Sequence, residues 1–259
     1  VRAGGAAVTA RVIAVSNRKG GTAKTTTVVN LAAALGSRGA RVLVVDLDSQ
    51  GHAGLGFGVR AAPGDTTVHD LFQDPGTSLA DGVRRSAYAN VDVLPADRSF
   101  AGVSAVTPPL GLARALAPLG PSYEAILIDT SPSADALLVS ALAAADHVIV
   151  PTLLHHLAVD GVGQFARSYL RVASGLNARL RGLSLLPVQV DLRVTMQREA
   201  HAQLAARFGT ERMLTGIRPD VALAEAFGQQ QPVKYYRPRT RSAAEFESIC
   251  DHLRDVILH

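Results

Sequence analysis

Residues 11–37 read RVIAVSNRKGGTAKTTTVVNLAAALGS, an apolar run followed by a turn rich in glycine and lysine and then a regular Ala/Leu stretch. This order predicts a strand over Val12–Ser16, a phosphate-binding loop, and a helix over Lys24–Ser37. Glycines let backbone N–H groups point at phosphate oxygens, and the positive end of the helix dipole adds to the attraction. Ala23 occupies the second glycine position of G-x-x-x-x-G-K-[ST], so the strict pattern fails and a variant with an additional lysine, Lys19, remains.

We expect this loop to bind ATP and Mg²⁺. The Lys24 ammonium would reach the β- and γ-phosphates, and the Thr25 hydroxyl would bind the metal ion. Lys19 has a long flexible stem that could carry its charge to the phosphates of a partner subunit. A glycine turn with chance lysines is the simpler alternative, but the strand–helix frame and the two lysines together argue against it. The predicted nucleotide-binding residues are Lys19, Gly20, Gly21, Thr22, Ala23, Lys24, Thr25 and Thr26.

Three aspartates stand where predicted strands end. Asp46 and Asp48 are two residues apart, so both can point to one face at the carboxyl edge of the sheet, where ligands bind. Asp48 would position the attacking water, and Asp46 would hold the hydration shell of the metal ion. Asp129 ends the apolar run AILID in the manner of a Walker B aspartate and would bind Mg²⁺ through water. The alternative for Asp46 and Asp48 is a solvated turn after a strand. Lys19 and Asp48 are thus the predicted catalytic residues, and Thr25, Asp46 and Asp129 the predicted metal-binding residues.

The whole chain alternates short β-branched runs with longer Ala/Leu stretches. With 259 residues, 47% of them hydrophobic and 19% charged, it can bury a substantial core. We predict an α/β fold, a doubly wound, mostly parallel sheet of P-loop NTPase type with helices on both faces. The further predicted strands are Val42–Asp46, Val91–Leu94, Ala125–Asp129, His147–Val150, Leu183–Val188 and Met213–Ile217. The further predicted helices are Ala134–Ala144, Val159–Ser174, Thr195–Phe208 and Ser242–Leu258.

Simple counts exclude several classes of protein. The single cysteine, Cys250, excludes a disulfide framework, a thiolate zinc site and a cysteine-ligated iron–sulfur cluster. No run of about 18 apolar residues is present, and the apolar positions near the C-terminus have the spacing of a core-packing stripe, so we expect no membrane contact. Lys and Arg number 26 against 22 Asp and Glu, and the net charge of +4 permits a polyanionic partner without requiring one.

Four segments together resemble the ParA/MinD group of deviant-Walker ATPases. They are the loop KGGTAKTT, then VDLDSQG at 45–51, IDTSPS at 128–133, and ADHVIVP at 145–151 with the following HHLAVDG at 155–161. The resemblance covers roughly residues 11–257 and is made specific by Lys19 together with Lys24. It predicts one ParA-like ATPase domain over residues 11–259, preceded by a short N-terminal extension over residues 1–10.

The resemblance implies a particular cycle. Proteins of this group form a homodimer with ATP, bind DNA without sequence preference, and hydrolyse ATP weakly until a ParB-like or cargo-adaptor protein stimulates them. The cargo is a chromosome, a plasmid or a protein complex, and the location is cytoplasmic and nucleoid-associated. By position, Lys19 matches the lysine that acts across the dimer, and Asp48 matches the aspartate needed for hydrolysis. Ser49 and His52 stand where the group usually has proline and asparagine, so the timing of hydrolysis is the least determined feature.

DNA contacts are expected from basic side chains late in the sequence. Arg193 and Arg198 match positions that are basic in ParA-like proteins, and residues 234–241 hold four cations without an acid. A solvated arginine-rich loop is the alternative. Ala222 aligns best with an arginine that the group uses for DNA. The predicted DNA-binding residues are Arg193, Arg198, Lys234, Arg237, Arg239 and Arg241.

Other functions of the same fold remain as alternatives. A MinD-like membrane-surface ATPase would need a basic amphipathic terminal helix, and the tail of this chain has too few cations. A biosynthetic P-loop ligase does not account for Lys19, and a nucleotide switch without turnover does not account for Asp48. A reductase resembling the nitrogenase iron protein is excluded by the single cysteine. His155 and His156 are adjacent and therefore point apart, which makes them poor joint metal ligands; we expect them near the dimer interface.

Overall fold

The computed structural model describes residues 10–102, 108–132 and 135–254. Its strands are β1 (Arg11–Val15), β2 (Val42–Asp46), β3 (Arg84–Arg85), β4 (Val91–Leu94), β5 (Ala125–Asp129), β6 (His147–Leu153) and β7 (Gly182–Val188). They form one sheet in the order β3-β4-β2-β5-β1-β6-β7. The neighbours from β4 to β7 are parallel, and β3 runs antiparallel to β4. Because β1 lies inside the sheet, the loop that follows it emerges at the carboxyl edge between neighbouring strands, which is the usual ligand position in such folds.

Helices connect these strands. They are α1 (Lys24–Ser37), α2 (His52–Leu55), α3 (Gly111–Leu116), α4 (Asp135–Ala144), α5 (His156–Gly175), α6 (Thr195–Phe208), α7 (Val221–Gly228), α8 (Val233–Tyr236) and α9 (Arg241–Leu253). Short 3-10 helices lie at Val68–Phe72, Leu79–Gly82, Ala117–Ser122 and Thr210–Arg212. None of the described helices combines the length and the apolar character that crossing a membrane requires.

The core lies in two layers, one on each face of the sheet. Successive strand residues point to opposite faces. Leu43 therefore belongs to the core layer that contains residues of α3 to α6, and Val44 to the layer that contains residues of α1, α7, α8 and α9. Both faces are buried, and this explains why the parallel strands are apolar at consecutive positions. The predicted α/β fold, a mostly parallel sheet with helices on both faces, is confirmed.

Helix α1, which follows the phosphate loop, is fastened to the C-terminal helices by polar contacts. The side-chain oxygen of Asn30 accepts the backbone N–H of Val233 at 2.8 Å, which ties α1 to α8. Arg38, at the C-terminal end of α1, pairs with Glu247 at 2.7 Å and with Asp251 at 2.6 Å, both on α9. The orientation of α1 therefore depends on residues more than two hundred positions later.

One predicted strand is wrong. Met213–Ile217 forms only isolated parallel bridges, from Leu185 to Met213 and from Val188 to Ile217. Pro187 of β7 lies between these bridges, and its carbonyl accepts the N–H of Ile217 at 2.9 Å. The N–H and C=O of one strand residue point to the same side, so the missing N–H of Pro187 removes the donor that a continuous ladder needs at this point.

The helix boundaries differ in smaller ways. α1 and α6 have the predicted bounds, while α5 begins three residues earlier than predicted, at His156. The last predicted helix begins at Arg241, and its predicted end at Leu258 lies outside the described residues. Ala134, the predicted first residue of α4, and residues 1–9 of the predicted extension also lie outside them.

Candidate nucleotide-binding site

The conformation of the loop between β1 and α1 is fixed by the Asn17 side chain and by two residues with left-handed backbones. The Asn17 side chain donates to the carbonyl oxygen of Pro151 at 2.8 Å and accepts the N–H of Lys19 at 3.1 Å, so it fixes the base of the loop. Gly21 and Ala23 have left-handed backbones, with φ of 71° and 61°. Glycine adopts this conformation freely, whereas alanine does so only with strain. A Cβ added at Gly21 would meet no atom within 4 Å, so that side of the loop is free to receive a ligand.

Lys24 lies inside the loop. Its ammonium donates to the carbonyl oxygen of Lys19 at 3.1 Å, and the Thr22 hydroxyl donates to the same oxygen at 3.3 Å. Burial lowers the pKa of Lys24, although the charges of Asp129 and Asp48 oppose the shift. The side chain of Lys24 is thus bonded to the backbone of Lys19, the other lysine of the motif. Of the other predicted residues, Gly20 lies on the open side of the loop. Thr26 lies in the first turn of α1, where its carbonyl oxygen accepts the side-chain amide of Asn30 at 2.8 Å.

A buried pair of carboxyl groups lies beside the loop. Asp46 ends β2 and Asp129 ends β5, and the two residues are register partners. Burial raises the pKa of Asp46 to about 7, and the Asp48 charge adds to that shift. Burial also raises the pKa of Asp129 well above its ordinary value, and there the Asp46 charge adds to the shift. Oxygen-rich pockets with excess negative charge are what a hard divalent cation binds.

The donor set fits Mg²⁺. The Thr25 hydroxyl donates to Oδ2 of Asp129 at 2.7 Å, so two of the three predicted metal-binding residues already lie in contact. Oδ1 of Asp129 is buried and lacks a hydrogen-bond partner in the described part of the chain. Because an unsatisfied buried carboxylate oxygen is costly, this atom is suited to a cation or its water shell. Asp46 instead accepts the N–H groups of Gly54 at 2.9 Å and Asp48 at 3.3 Å, which orients it beside the pair.

Asp48 is half-buried at the start of the next turn. Its Oδ1 accepts the N–H of Gln50 at 3.0 Å, which leaves its other oxygen able to take a further bond. Ser49 follows as a half-buried residue, and His52 opens α2 with its ring in edge contact with Phe227 of α7, at 5.9 Å between centroids. The segment that carries Asp48 therefore touches both the metal-binding pair and the C-terminal helices.

Lys19 contacts its own chain. Its ammonium donates to the carbonyl oxygen of Leu157 in the first turn of α5 at 2.9 Å, and its stem lies over Gly161. The Leu157 side chain beside it is 66% exposed. His155 caps α5 and His156 begins it, and no cluster of three or more metal-ligating side chains occurs among the described residues.

Three arginines and Asp191 line a cavity of about 820 Å³. Arg193 follows β7, Arg218 precedes α7, and Arg241 begins α9. Arg193 is 91% exposed while forming a fork with Asp191, with N–O distances of 2.9 and 2.8 Å. Arg198 lies next to this group, since it donates to the carbonyl oxygen of Arg193 at 3.1 Å. Three predicted DNA-binding residues are thus close together.

Arg218 was missed by sequence reasoning. Its Nε pairs with the buried Glu245 at 2.5 Å, and its position directly after the predicted strand Met213–Ile217 is the signal that could have found it. Ala222, which aligns with a basic position of the family, is buried, and its N–H is bonded to Asp220 at 3.0 Å. A cation near this point is therefore supplied by Arg218 rather than by residue 222.

The other predicted basic residues have acidic partners that are distant in sequence. Lys234 forms an ion pair with Glu247 of α9, and Arg237 pairs with Glu225 of α7 at 2.9 Å while lying over the Tyr236 ring. Arg239 is exposed. Two of the four cations in residues 234–241 thus form ion pairs with neighbouring helices, and the DNA-binding role of this segment stays a prediction.

Comparison with known proteins supplies the family. The family described as an AAA domain matches residues 10–182, which include the phosphate loop and all three aspartates. The chromosome-partitioning ATPase Soj of Thermus thermophilus is 37% identical over 245 residues, covering 94% of this chain and 95% of that protein. The chromosome-partitioning protein ParA of Caulobacter vibrioides is 33% identical and covers 87% of each chain. The chain belongs to the ParA/Soj family.

A solved structure shows the same fold as this ParA/Soj protein. The fold is that of apo McdA from Cyanothece, with a TM-score of 0.84 at 20% identity over 94% of this chain and 99% of that one. The chain is a P-loop ATPase by family, and ATP with Mg²⁺ fits its loop and carboxyl pair.

Proposed function

We propose that this ParA/Soj protein positions cargo through an ATP-driven cycle on DNA. With ATP it forms a homodimer that binds DNA without sequence preference, and a ParB-like or cargo-adaptor protein stimulates its weak hydrolysis. The cargo is a chromosome, a plasmid or a protein complex. The observation that carries the proposal is the cavity bordered by Arg193, Arg218 and Arg241, where three arginines face Asp191 as the acid among the described lining residues.

In the nucleotide site, Lys24 and the loop N–H groups of residues 20–26 would bind the phosphates. Thr25 and Asp129 would hold Mg²⁺, and Asp46 would bind its water shell. Mg²⁺ would supply charge neutralisation at the phosphates. Asp48 would orient the attacking water, because it lies at the same sheet edge with an oxygen left for a further hydrogen bond.

Two substitutions separate binding from hydrolysis. Lys24→Ala is expected to abolish nucleotide binding, because it removes the buried cation of the loop. Asp48→Ala is expected to retain ATP binding and dimerisation but lose turnover. Single-turnover hydrolysis of bound ATP measures the second effect, and a variant that still hydrolyses ATP normally would refute the role of Asp48.

Lys19 would act across the dimer. The exposed Leu157 and the neighbouring histidines make the first turn of α5 a suitable part of the dimer surface. A lysine that reaches phosphates only in the dimer would make hydrolysis depend on assembly, as an arginine finger does. Weak hydrolysis of the isolated chain follows from the need to order Lys19, Asp48 and the water together.

DNA would bind the arginine cavity rather than the paired cations. Phosphate contacts give binding that weakens with salt and ignores sequence. Arg198 and Arg241 are exposed around the cavity, and Arg193 is 91% exposed although it pairs with the neighbouring Asp191. Lys234 and Arg237 instead pair with glutamates of α9 and α7. A protein that binds nucleoid DNA would be found with it in the cytoplasm. Residues 11–259 would act as one ATPase domain, since α1 is fastened to α9.

The deciding experiment is a salt series of binding to non-specific duplex DNA with ATP, with ADP and without nucleotide. Salt-sensitive binding with ATP alone supports the cycle, and no binding in any nucleotide state refutes the DNA function. The slope of the logarithm of the DNA-binding constant against the logarithm of the salt concentration measures the number of phosphate contacts. The double variant Arg193→Ala/Arg241→Ala should make this slope shallower by about 2, since each lost phosphate contact removes about 0.9. The matched control is Lys234→Ala/Arg237→Ala, which removes the same charge from the paired cations and should leave the slope nearly unchanged.

A second candidate function comes from one solved structure. Cobyrinic acid a,c-diamide synthase from Mycobacterium smegmatis, with a bound ATP analogue and magnesium, is 32% identical with a TM-score of 0.78 over 95% of each chain. The additional lysine of the phosphate loop, Lys19, is not accounted for by a biosynthetic ligase, and it favours the positioning function for this chain.

A further inference from the structure

A buried histidine lies behind the segment that carries Asp48. His69, in the 3-10 helix Val68–Phe72, is fully buried, and its ring stacks on Phe100 with 4.2 Å between centroids. Its Nδ1 accepts the backbone N–H of Asp97 at 3.0 Å, and its Nε2 lies 3.4 Å from the carbonyl oxygen of Leu47. None of the predicted site residues includes it.

The two contacts determine where the ring carries its proton. A backbone N–H can only donate, so Nδ1 must be unprotonated to accept from Asp97. In the neutral imidazole the proton is then on Nε2, which donates it to the Leu47 carbonyl. Burial lowers the pKa of His69 and so favours this neutral form.

The Leu47 carbonyl belongs to the peptide group that joins Leu47 to Asp48. The N–H of the same peptide group donates to Oδ1 of Asp46 at 3.3 Å. A trans peptide is planar, so a bond at its oxygen and another at its nitrogen together fix its rotation. The N–H of Leu47 donates to the Asp129 carbonyl at 2.9 Å and anchors the preceding peptide to β5. The backbone direction at Asp48 is therefore set from three sides, and His69 is the contact that comes from outside the sheet.

We propose that His69 is a positioning residue for ATP hydrolysis, which holds the Leu47–Asp48 peptide so that the Asp48 carboxylate faces the attacking water. The proposal rests on the proposed role of Asp48. His69 itself touches neither nucleotide-binding nor metal-binding side chains in this arrangement; it acts through the peptide. Loss of the Nε2–H donor of His69 would let the Leu47–Asp48 peptide rotate and displace the Asp48 carboxylate. A displaced catalytic group lowers the rate of the chemical step more than it lowers the affinity for ATP.

Three substitutions of His69 separate its two hydrogen bonds. The amide nitrogen of glutamine can take the place of Nε2, so His69→Gln keeps a donor for Leu47. The side-chain oxygen of asparagine takes the place of Nδ1, so His69→Asn keeps the acceptor for Asp97 and loses the donor. His69→Phe keeps only the ring stacking. We expect His69→Gln to retain turnover within about twofold, and the other two to lower kcat about tenfold with KM for ATP nearly unchanged.

His147 provides the control. It is also a buried histidine with a side-chain bond, 2.9 Å from Nε2 to the Ser184 hydroxyl, but it begins β6 at the far end of that strand from the phosphate loop. His147→Gln should cost stability without lowering kcat. Thermal unfolding of every variant, together with single-turnover hydrolysis in the full chain, separates loss of fold from loss of positioning.

Several outcomes overturn the proposal. It fails if His69→Asn hydrolyses ATP as fast as the unmodified protein, or if His69→Gln is as slow as His69→Asn. It also fails if His147→Gln lowers kcat equally. Should His69→Phe not fold, the Gln and Asn variants still decide. Asp48→Ala separates the proposed role of Asp48 from that of His69. If Asp48→Ala hydrolyses ATP normally, both roles fail. If Asp48→Ala is inactive while all His69 variants are fully active, only the role of His69 is refuted.

Discussion

The ammonium of Lys19 and the carbonyl oxygen of Leu157 are 2.9 Å apart, so the additional lysine of the phosphate loop is bound to helix α5 of its own chain. A lysine held in this way is not available to a partner subunit. Its release is therefore a step that must accompany dimerisation if it acts on the partner's nucleotide. The exposed Leu157 side chain beside this contact marks the surface whose burial would accompany the release.

Gly161→Ala is expected to favour the ATP-bound dimer. The added Cβ would lie 3.1 Å from Cε of Lys19, closer than ordinary contact, so the stem must shift and its bond to Leu157 weakens. A hydrogen bond worth about 1 kcal/mol corresponds to an approximately fivefold change in the dimer dissociation constant. Analytical ultracentrifugation with ATP measures this. The control is Gly175→Ala, on the same helix, where a Cβ meets no atom within 4 Å; equal effects of the two changes would show that Lys19 is not responsible.

The buried carboxyl pair predicts an unusual dependence of stability on pH. Burial raises the pKa of Asp46 from 3.8 to about 7, and it raises the pKa of Asp129 as well. Between about pH 4 and pH 7 the folded protein holds a proton that the unfolded chain has lost, so the free energy of unfolding falls as pH rises through this window. The slope approaches about 1.4 kcal/mol per pH unit for one proton.

Asp46→Asn should reduce this slope, because the amide has no proton to lose and can still accept the N–H of Gly54, while the buried Asp129 remains. Urea unfolding at several pH values, without Mg²⁺ or nucleotide, gives the comparison. Parallel stability curves for the unmodified protein and Asp46→Asn would contradict the prediction. Added Mg²⁺ should reduce the slope of the unmodified protein, since a bound cation takes the place of the proton.

Ala23→Gly is expected to stabilise the fold by up to about 1 kcal/mol. Ala23 has φ of 61°, a conformation that glycine adopts without strain, and the gain exceeds the entropy that glycine adds to the unfolded chain. The midpoint of urea unfolding measures it. Ala202→Gly in the exposed interior of α6 is the matched control and should destabilise by about 1 kcal/mol. The same sign for both changes would argue against strain at Ala23.

The thiol of Cys250 should report the opening of α9. Burial raises the pKa of this thiol to about 12, and the thiolate is the reactive form, so the folded protein should label slowly with an aromatic disulfide. Arg38→Ala removes the ion pairs from α1 to Glu247 and Asp251 and should speed labelling about fivefold, the equivalent of about 1 kcal/mol. Unchanged labelling would mean that these pairs do not hold α9.

The parts of the fold predicted from sequence are those set by local pattern. α1 has the predicted bounds because the glycine turn and the Ala/Leu run mark both of its ends. The strands β2 and β5 coincide with runs that are apolar up to a final aspartate, and β4 with a short run interrupted by Asp92. The proximity of Thr25 to Asp129 followed from the same reasoning, since parallel strands end at one edge. The roles of these residues remain predictions.

What could not be predicted depends on contacts between distant segments. α2 and α8 have four residues each, too short for a periodic pattern, and β3 has two. The partner of Arg237 is twelve residues away and that of Lys234 thirteen, on other helices, so the sequence around them shows only unopposed charge. The sequence around His69 does not indicate its proposed role, because that role depends on contacts with Leu47 and Asp97, which are distant in the chain.

The fastening of α1 to α8 and α9 has a consequence for how the molecule can be divided. The segment shared with AAA-domain proteins ends at residue 182, but the outer side of α1 is completed by Val233, Glu247 and Asp251. A fragment that stops at residue 182 would carry every predicted phosphate-binding residue but would lack the contacts from Val233, Glu247 and Asp251 that hold α1 in place. Fusions, tags and truncations should therefore spare the last helix, since a disturbance there would register at the phosphate loop.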